Sequence, residues 1–406
     1  MSAGAARRPP FAQALQSLSE RRLASHRQRT HAPLRWLEDG RIESTAGPLY
    51  DFCSNDYLGL ARDQGQASAL AAAAKQYGAG AGSAHAVCGH HREHQRLEAE
   101  LADWLGRPRA LLFSSGWSAA LGTLDALLGR HDLCVQDRLN HACLLDGAKL
   151  AGAELKRYPH ADAEAARELL RGQRQRRAML VTDGVFSMDG DSAPLAELAT
   201  QCAAEQAWLM VDEAHALGVL GEQGAGSASA AGLGTAEVPV LMGTFGKALG
   251  GFGAFVAGSE LLIDTLTNQA RPHLFTTALP PAWASCMHSA VSRVRLGDEL
   301  RDALALRIER VRSRGADLGL PLMASDSAIV PLILGDELRA LRWERELMAC
   351  GFAIKAIRPP TVPVGASRLR ITLNVSQPMS AIDRLLETLA RLQDGDCAST
   401  EADDAP

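Results

Sequence analysis

One lysine carries the most chemistry in this chain. Lys247 lies in Thr244-Phe-Gly-Lys-Ala-Leu-Gly-Gly251, just after the apolar run 238–242. A lysine among small residues beyond a core strand can be buried, and a desolvated ammonium loses its proton more readily than one in water. The uncharged amine can then form a Schiff base. Upstream, Leu209-Met-Val-Asp-Glu-Ala-His215 reads as a strand ending in the carboxylate of Asp212, with His215 three positions on. A lysine for an imine and a carboxylate for a pyridinium nitrogen are the minimal equipment for holding pyridoxal 5'-phosphate (PLP).

Three further segments, and two more residues of the first two, fit the same cofactor. Ser114-Ser-Gly-Trp117 follows an apolar run and opens a helical one. Backbone N–H groups at such a turn bind phosphate, although Ser-Gly also starts many helices without a ligand. His141 falls just past a strand, where a crevice opens in an open α/β sheet. It could stack on a flat ring or serve as an ordinary loop histidine. Ser187 could place a hydroxyl near the cofactor's phenolic oxygen or simply make a turn, and His215 would reach the same oxygen. Thr244 could bind phosphate.

Two other signals carry less. His90 and His94 stand four apart, a metal-ligand spacing on a helix. No carboxylate or cysteine partner is evident in the sequence, so no metal is expected. Gly243-Thr-Phe-Gly-Lys247 departs from a P-loop in its glycine spacing, and Ala248 replaces the Ser or Thr that loop needs.

These residues must be placed by a larger frame. The chain has 406 residues, 47% hydrophobic and 22% charged, with a formal net charge of −5. That suits two globular domains and gives no basic block for nucleic acid. No apolar run approaches the roughly 18 residues of a membrane span. No signal peptide is read in the first residues, and eight scattered cysteines without Cys-x-x-Cys read as reduced thiols. A cytoplasmic protein is therefore expected.

Residues 1–48 read as an arm, with helical spacing over 11–29. Short apolar runs at 110–113, 133–136, 179–182, 208–211, 240–242 and 254–257 alternate with amphipathic stretches at 93–104, 118–128, 163–171 and 195–205. This alternation predicts an α/β fold with a mostly parallel, doubly wound sheet over 49–285. Beyond Pro280-Pro281, helices at 283–295, 300–317, 338–350 and 381–392 surround strands at 329–334, 353–357 and 369–373. That predicts a smaller α+β domain over 286–393. The acidic segment 394–406 reads as a disordered tail.

Taken in order, Ser54-Asn-Asp-Tyr-Leu-Gly-Leu60, the segment around Gly116, 137–141, 184–190, 211–215 and 244–251 resemble the α-oxoamine synthases. The resemblance covers about residues 10–392. It implies a homodimeric PLP enzyme of the aspartate-aminotransferase fold (PLP-dependent transferase fold type I). Such enzymes condense an amino acid with an acyl thioester and release carbon dioxide. Ala356-Ile-Arg-Pro-Pro-Thr-Val-Pro363, followed by Arg368-Leu-Arg-Ile-Thr372, resembles the biotin-pathway branch. That branch takes L-alanine and a pimeloyl thioester on coenzyme A or acyl carrier protein; sister enzymes take glycine. Carried over, the resemblance makes Lys247, His141 and Asp212 catalytic. Gly116, Trp117, Ser187, His215 and Thr244 contact the cofactor, and Thr276 and Thr277 reach the other subunit's phosphate. Arg370 would clamp the amino-acid carboxylate, with Arg27, or Arg29 in a shifted register, and Thr361 at substrate positions. Three departures stand out: Gly80-Ala-Gly-Ser-Ala-His85 in place of a Gly-Gly-Ser-Arg-like stretch, Ala216 in place of glycine, and Trp117 in place of phenylalanine or tyrosine.

Overall fold

A computed structural model describes residues 10–403 apart from His26, Thr30, Ala32, Ala46 and Arg174, with the backbone alone from 397 onward. Its centre is a seven-stranded sheet in the spatial order Arg109–Phe113, Ala254–Gly258, Val240–Thr244, Trp208–Asp212, Ala178–Asp183, Leu133–Asp137, Glu154–Tyr158. The last five run parallel. Ala254–Gly258 is antiparallel to both its neighbours, so the sheet is mixed but mostly parallel.

Alternate strand residues feed two cores. Leu112, Val135, Leu180 and Val211 enter one, with Leu97, Leu198 and Val291 from helices. Phe113, Cys134, Val181 and Met210 enter the other, with Ala120, Leu144 and Ile263 from helices. A sheet covered on both faces needs strands that are apolar throughout, which is why these runs stand out in the sequence. On the second face the helices Gly116–Leu127 and Ala142–Leu150 approach closely. A Cβ on Gly147 would lie 2.7 Å from Leu124 Cδ1.

All six strands expected in the first part of the chain are present. Glu154–Tyr158, unpredicted, is the polar edge strand with Lys156 and Arg157, a common protection of sheet edges. The helices Gln64–Tyr77, Ala142–Leu150 and Glu260–Gln269 also went unpredicted. The arm helix is shorter than its spacing suggests: Phe11–Ala24, with none of its residues buried.

The expected strand at 353–357 is two strands. Phe352–Ala353 pairs in parallel with Gly47–Asp51, and Lys355–Ile357 pairs with Ser367–Thr372. The latter also pairs with Ile329–Gly335, completing a three-stranded antiparallel sheet. The tail expectation is corrected. The terminal helix runs Met379–Asp403, and Asp396 is bonded by Arg339 Nε, Trp343 Nε1 and Arg342. Three donors on one carboxylate hold Asp396, near the start of the segment whose acidic composition reads as disordered. Residues 404–406 lie outside the described residues. Among the described residues no helix is long and apolar enough to cross a membrane, and the described cysteines are free thiols.

Candidate active site

The carboxyl ends of the parallel strands, and of Arg109–Phe113, open on one side of the sheet. A cavity of about 220 Å³ lies there, and its lining includes Gly116, His141, Ser187, Asp212, His215 and Lys247. Trp117 and Thr244 line it too. Every residue expected at the cofactor is therefore brought together, with the exception of Thr276 and Thr277.

Lys247 stands on the turn that joins Val240–Thr244 to Ala254–Gly258. Gly250 N bonds Lys247 O at 2.8 Å and Gly251 N bonds Phe245 O at 2.7 Å, closing the turn. Gly250 has φ +64°, and a Cβ there would lie 2.2 Å from Ala61 N, so only glycine fits. Burial pushes the Lys247 ammonium down to about 8, against the opposing pull of Asp212 and Asp183. About a tenth of the amine is then uncharged at pH 7, and half of it near pH 8.

Asp212 is 4% exposed at the end of its strand. Its Oδ1 accepts the Ala214 N–H at 2.9 Å. Burial pushes its carboxyl up, and Lys247 opposes that. A buried acid lacking a bonded cation calls for one, and a protonated ring nitrogen would supply it. Burial likewise pushes His215 well below its ordinary value, and Tyr57 Oη lies 2.5 Å from its Nδ1. His141 caps the helix Ala142–Leu150. It is pushed down by burial, with Asp212 opposing, and its ring meets Trp117 edge-on at 6.3 Å.

The phosphate end fits as well. Ser115 and Ser118 form a capping box at the start of Gly116–Leu127. Gly116 and Trp117, the first residues of that helix, line the cavity; the N–H groups of a helix's first turn lack intrahelical partners, and the helix dipole favours an anion there. A Cβ on Gly116 would meet only Met242 Cε at 3.9 Å, so protein packing leaves the position open. The donor set, the buried acid and the depressed lysine together match PLP.

The residues expected at the substrate divide: Arg370 adjoins the first cavity through Ser187, whereas Arg27 and Thr361 line another. Arg370, from Ser367–Thr372, donates from Nε to Ser187 O at 2.6 Å, from Nη1 to Thr372 Oγ1 at 3.0 Å, and from both Nη atoms to Asn55 Oδ1 at 3.1 Å. Four of a guanidinium's five N–H groups are thereby in use, so a bidentate carboxylate must displace the Asn55 bonds. Arg27 and Thr361 line a second cavity of about 470 Å³, with Arg29, Lys355 and Arg358. Arg27 pairs with Glu337 at 3.0 Å, whereas Arg29 Nη2 reaches Thr361 Oγ1 at 3.0 Å. Thr277 forms a bridge with Ala84, away from the first cavity.

Three site residues escaped the sequence reading. Asp183 Oδ2 accepts the His141 backbone N–H at 2.8 Å, and Asp183 stands opposite Asp212 in the strand register. Burial pushes its carboxyl well up. Cys143 Sγ lies 2.9 Å from His141 Nδ1. Tyr57 was visible in Ser54–Leu60, but nothing in its spacing reports that it reaches His215.

His90 and His94 gain the neighbour that the sequence did not show: their ligand atoms and that of His85 lie within 4.8 Å of one another. His94, however, has both nitrogens bonded, Nε2 to Leu279 O at 2.7 Å and Nδ1 to His91 N at 2.8 Å. A metal there would have to displace one of those bonds.

The mixed sheet, the lysine turn and the cavity define the class. The chain belongs to the aminotransferase class I and II family, whose model matches residues 48–389. It is 51% identical over 353 residues to the 8-amino-7-oxononanoate synthase of Methylococcus capsulatus, covering 87% of this chain and 91% of the relative. It superposes on the 8-amino-7-oxononanoate synthase of Francisella tularensis with a TM-score of 0.77 and 28% identity, over 86% of this chain and 98% of the other. A structure of SPT with its PLP internal aldimine gives a TM-score of 0.89 at 26% identity, over 96% and 99% of the two chains.

Proposed function

We propose that this chain is a PLP-dependent acyltransferase of biotin biosynthesis. It condenses L-alanine with a pimeloyl thioester to give 8-amino-7-oxononanoate, carbon dioxide and the free carrier. The observation that carries the reading is the single cavity in which a half-buried Lys247, its ammonium pushed down, faces Asp212, His215 and His141, in a chain 51% identical to a synthase of that name.

Bound PLP supplies a ring that withdraws electrons from the bonds at the amino acid's Cα. The chain's own residues do the rest. Asp212 holds a negative charge against the ring nitrogen. The Lys247 amine, uncharged above about pH 8, takes the proton from the alanine Cα. His215, fixed by Tyr57, attends the ring oxygen with Ser187. Gly116, Trp117 and Thr244 would hold the phosphate, and His141 would contact the ring and donate to the oxyanion that forms at the thioester carbonyl. Arg370 takes the alanine carboxylate by releasing Asn55. Arg27, Arg29 and Thr361 receive the acyl donor in the second cavity.

The same reading makes the protein a cytoplasmic homodimer, with Thr277 serving the partner's phosphate. Alanine differs from glycine by one methyl group, which a pocket discriminates by about 1–3 kcal/mol.

The test is a mass-resolved assay of the purified protein with PLP. L-alanine is set against glycine, and pimeloyl-coenzyme A against the pimeloyl carrier protein. Oxononanoate from alanine on either donor is expected. Absence of product with both donors overturns the reading.

A further inference from the structure

His160 lies outside the cofactor cavity, yet it joins two of the loops that build it. Nδ1 lies 3.1 and 3.2 Å from the two carboxylate oxygens of Asp137, and Nε2 lies 2.7 Å from Asp191 Oδ2. A ring nitrogen facing a carboxylate must donate, so both carry protons. Burial alone would push the imidazole down, but the two carboxylates outweigh it and lift it to about 10.

Each carboxylate continues into the site. Asp137 Oδ1 accepts the Leu139 N–H at 2.7 Å. Its backbone carbonyl takes Asn140 N, and Asn140 Oδ1 accepts Asp183 N at 3.2 Å. His141 follows directly. On the other side, the Asp191 carbonyl accepts Phe186 N at 2.9 Å, and Ser187 is the next residue. The Phe186 ring stands edge-on to His160 at 4.4 Å.

The backbone beside His160 is itself constrained. Ala161 has φ 55°, left-handed for a residue with a Cβ. Its N–H is held by Asp137 Oδ2 at 2.8 Å. Strain of this kind persists where surrounding bonds over-determine a turn.

We propose that His160 is a positioning residue, whose imidazole, donating from both nitrogens, fastens the turn carrying His141 to the loop carrying Ser187. It touches neither substrate nor cofactor. The inference rests on the functional reading above, in which those two residues attend the ring.

The experiment compares holoenzyme of the wild type with His160→Phe, His160→Gln and Asp191→Asn. His160→Phe keeps a ring and removes both donors, while His160→Gln keeps an amide donor. For His160→Phe, kcat is expected to fall about 10- to 100-fold, as for a small misplacement of a catalytic group, and PLP to bind more weakly. The KM for the thioester should hold, because the second cavity is untouched. His160→Gln should recover part of the loss. Asp191→Asn should act in the same direction and be non-additive with His160→Phe.

A second readout needs no activity: the His141 ring proton resonances of the apoprotein should move in His160→Phe. A variant with wild-type kcat, PLP affinity and His141 resonances, altered only in Tm, overturns the proposal. If His160→Phe does not fold, the partly exposed Asp191→Asn decides by the same measurements. Loss of PLP uptake by the wild type would strike the functional reading alone, since the His141 resonances would still report on His160.

Discussion

Tyr57 sets its hydroxyl 2.5 Å from His215 Nδ1, joining a segment that precedes the central sheet to a loop at its heart. Both side chains are buried. Removing the hydroxyl leaves a buried imidazole nitrogen short of its partner, a loss of about 1–3 kcal/mol. Tyr57→Phe is expected to lower stability by that amount in urea unfolding and to slow turnover about tenfold, because His215 is then no longer fixed by the hydroxyl.

Lys247→Ala should abolish the visible absorbance of the cofactor-loaded protein. Turnover should fall by at least about 10²–10⁴-fold, the range for loss of a general base. Absorbance spectra of the purified variant check the first outcome; persistence of the wild-type band would remove Lys247 from its role.

Because the Lys247 ammonium titrates near 8, capture of PLP by the apoprotein should accelerate as pH rises through that value and level off above it. Stopped-flow absorbance between pH 6.5 and 9.5, roughly a unit and a half to either side, follows this directly. An Asp212→Asn variant removes the charge that opposes deprotonation, so its profile should shift to lower pH.

Asp183→Ala withdraws the acceptor that fixes the His141 backbone. Turnover should fall about 10- to 100-fold, the kinetic equivalent of 1–3 kcal/mol. The steady-state rate with saturating PLP measures it.

The His160 pair also predicts a stability profile. Its pKa is about 10 in the folded chain, above the ordinary 6.5. The ion pairs to Asp137 and Asp191 therefore contribute fully below about pH 6.5, and the contribution fades as pH rises through 10. Tm of the wild type should decline across that window relative to His160→Gln, as scanning calorimetry would record.

What could be read in the residues follows from local chemistry. Strands such as Trp208–Asp212, covered on both faces, announce themselves as apolar runs, and a carboxylate at the end of one is conspicuous. Glu154–Tyr158 was illegible because an edge strand carries charge, and Ala142–Leu150 because small residues give it little periodicity. Asp396 was misread because composition reports solubility and says nothing about three donors waiting on a distant helix. Asp183 falls between the run 179–182 and the segment 184–190, and its bond to His141 arises from the pairing of neighbouring strands. Arg27 and Arg29 could not be ordered from the sequence, since only the fold shows which of them meets Thr361.

The antiparallel course of Ala254–Gly258 has a practical consequence. An antiparallel neighbour can be reached by a tight connection, whereas a parallel one needs a crossover of a dozen or more residues. The Lys247 amine thus rides on a connection clamped at both feet by Phe245 N and Thr244 Oγ1 on Gly253 O, so an insertion into that connection is expected to displace the amine from the cavity. Among grafts between related scaffolds, this loop is the piece to transplant whole.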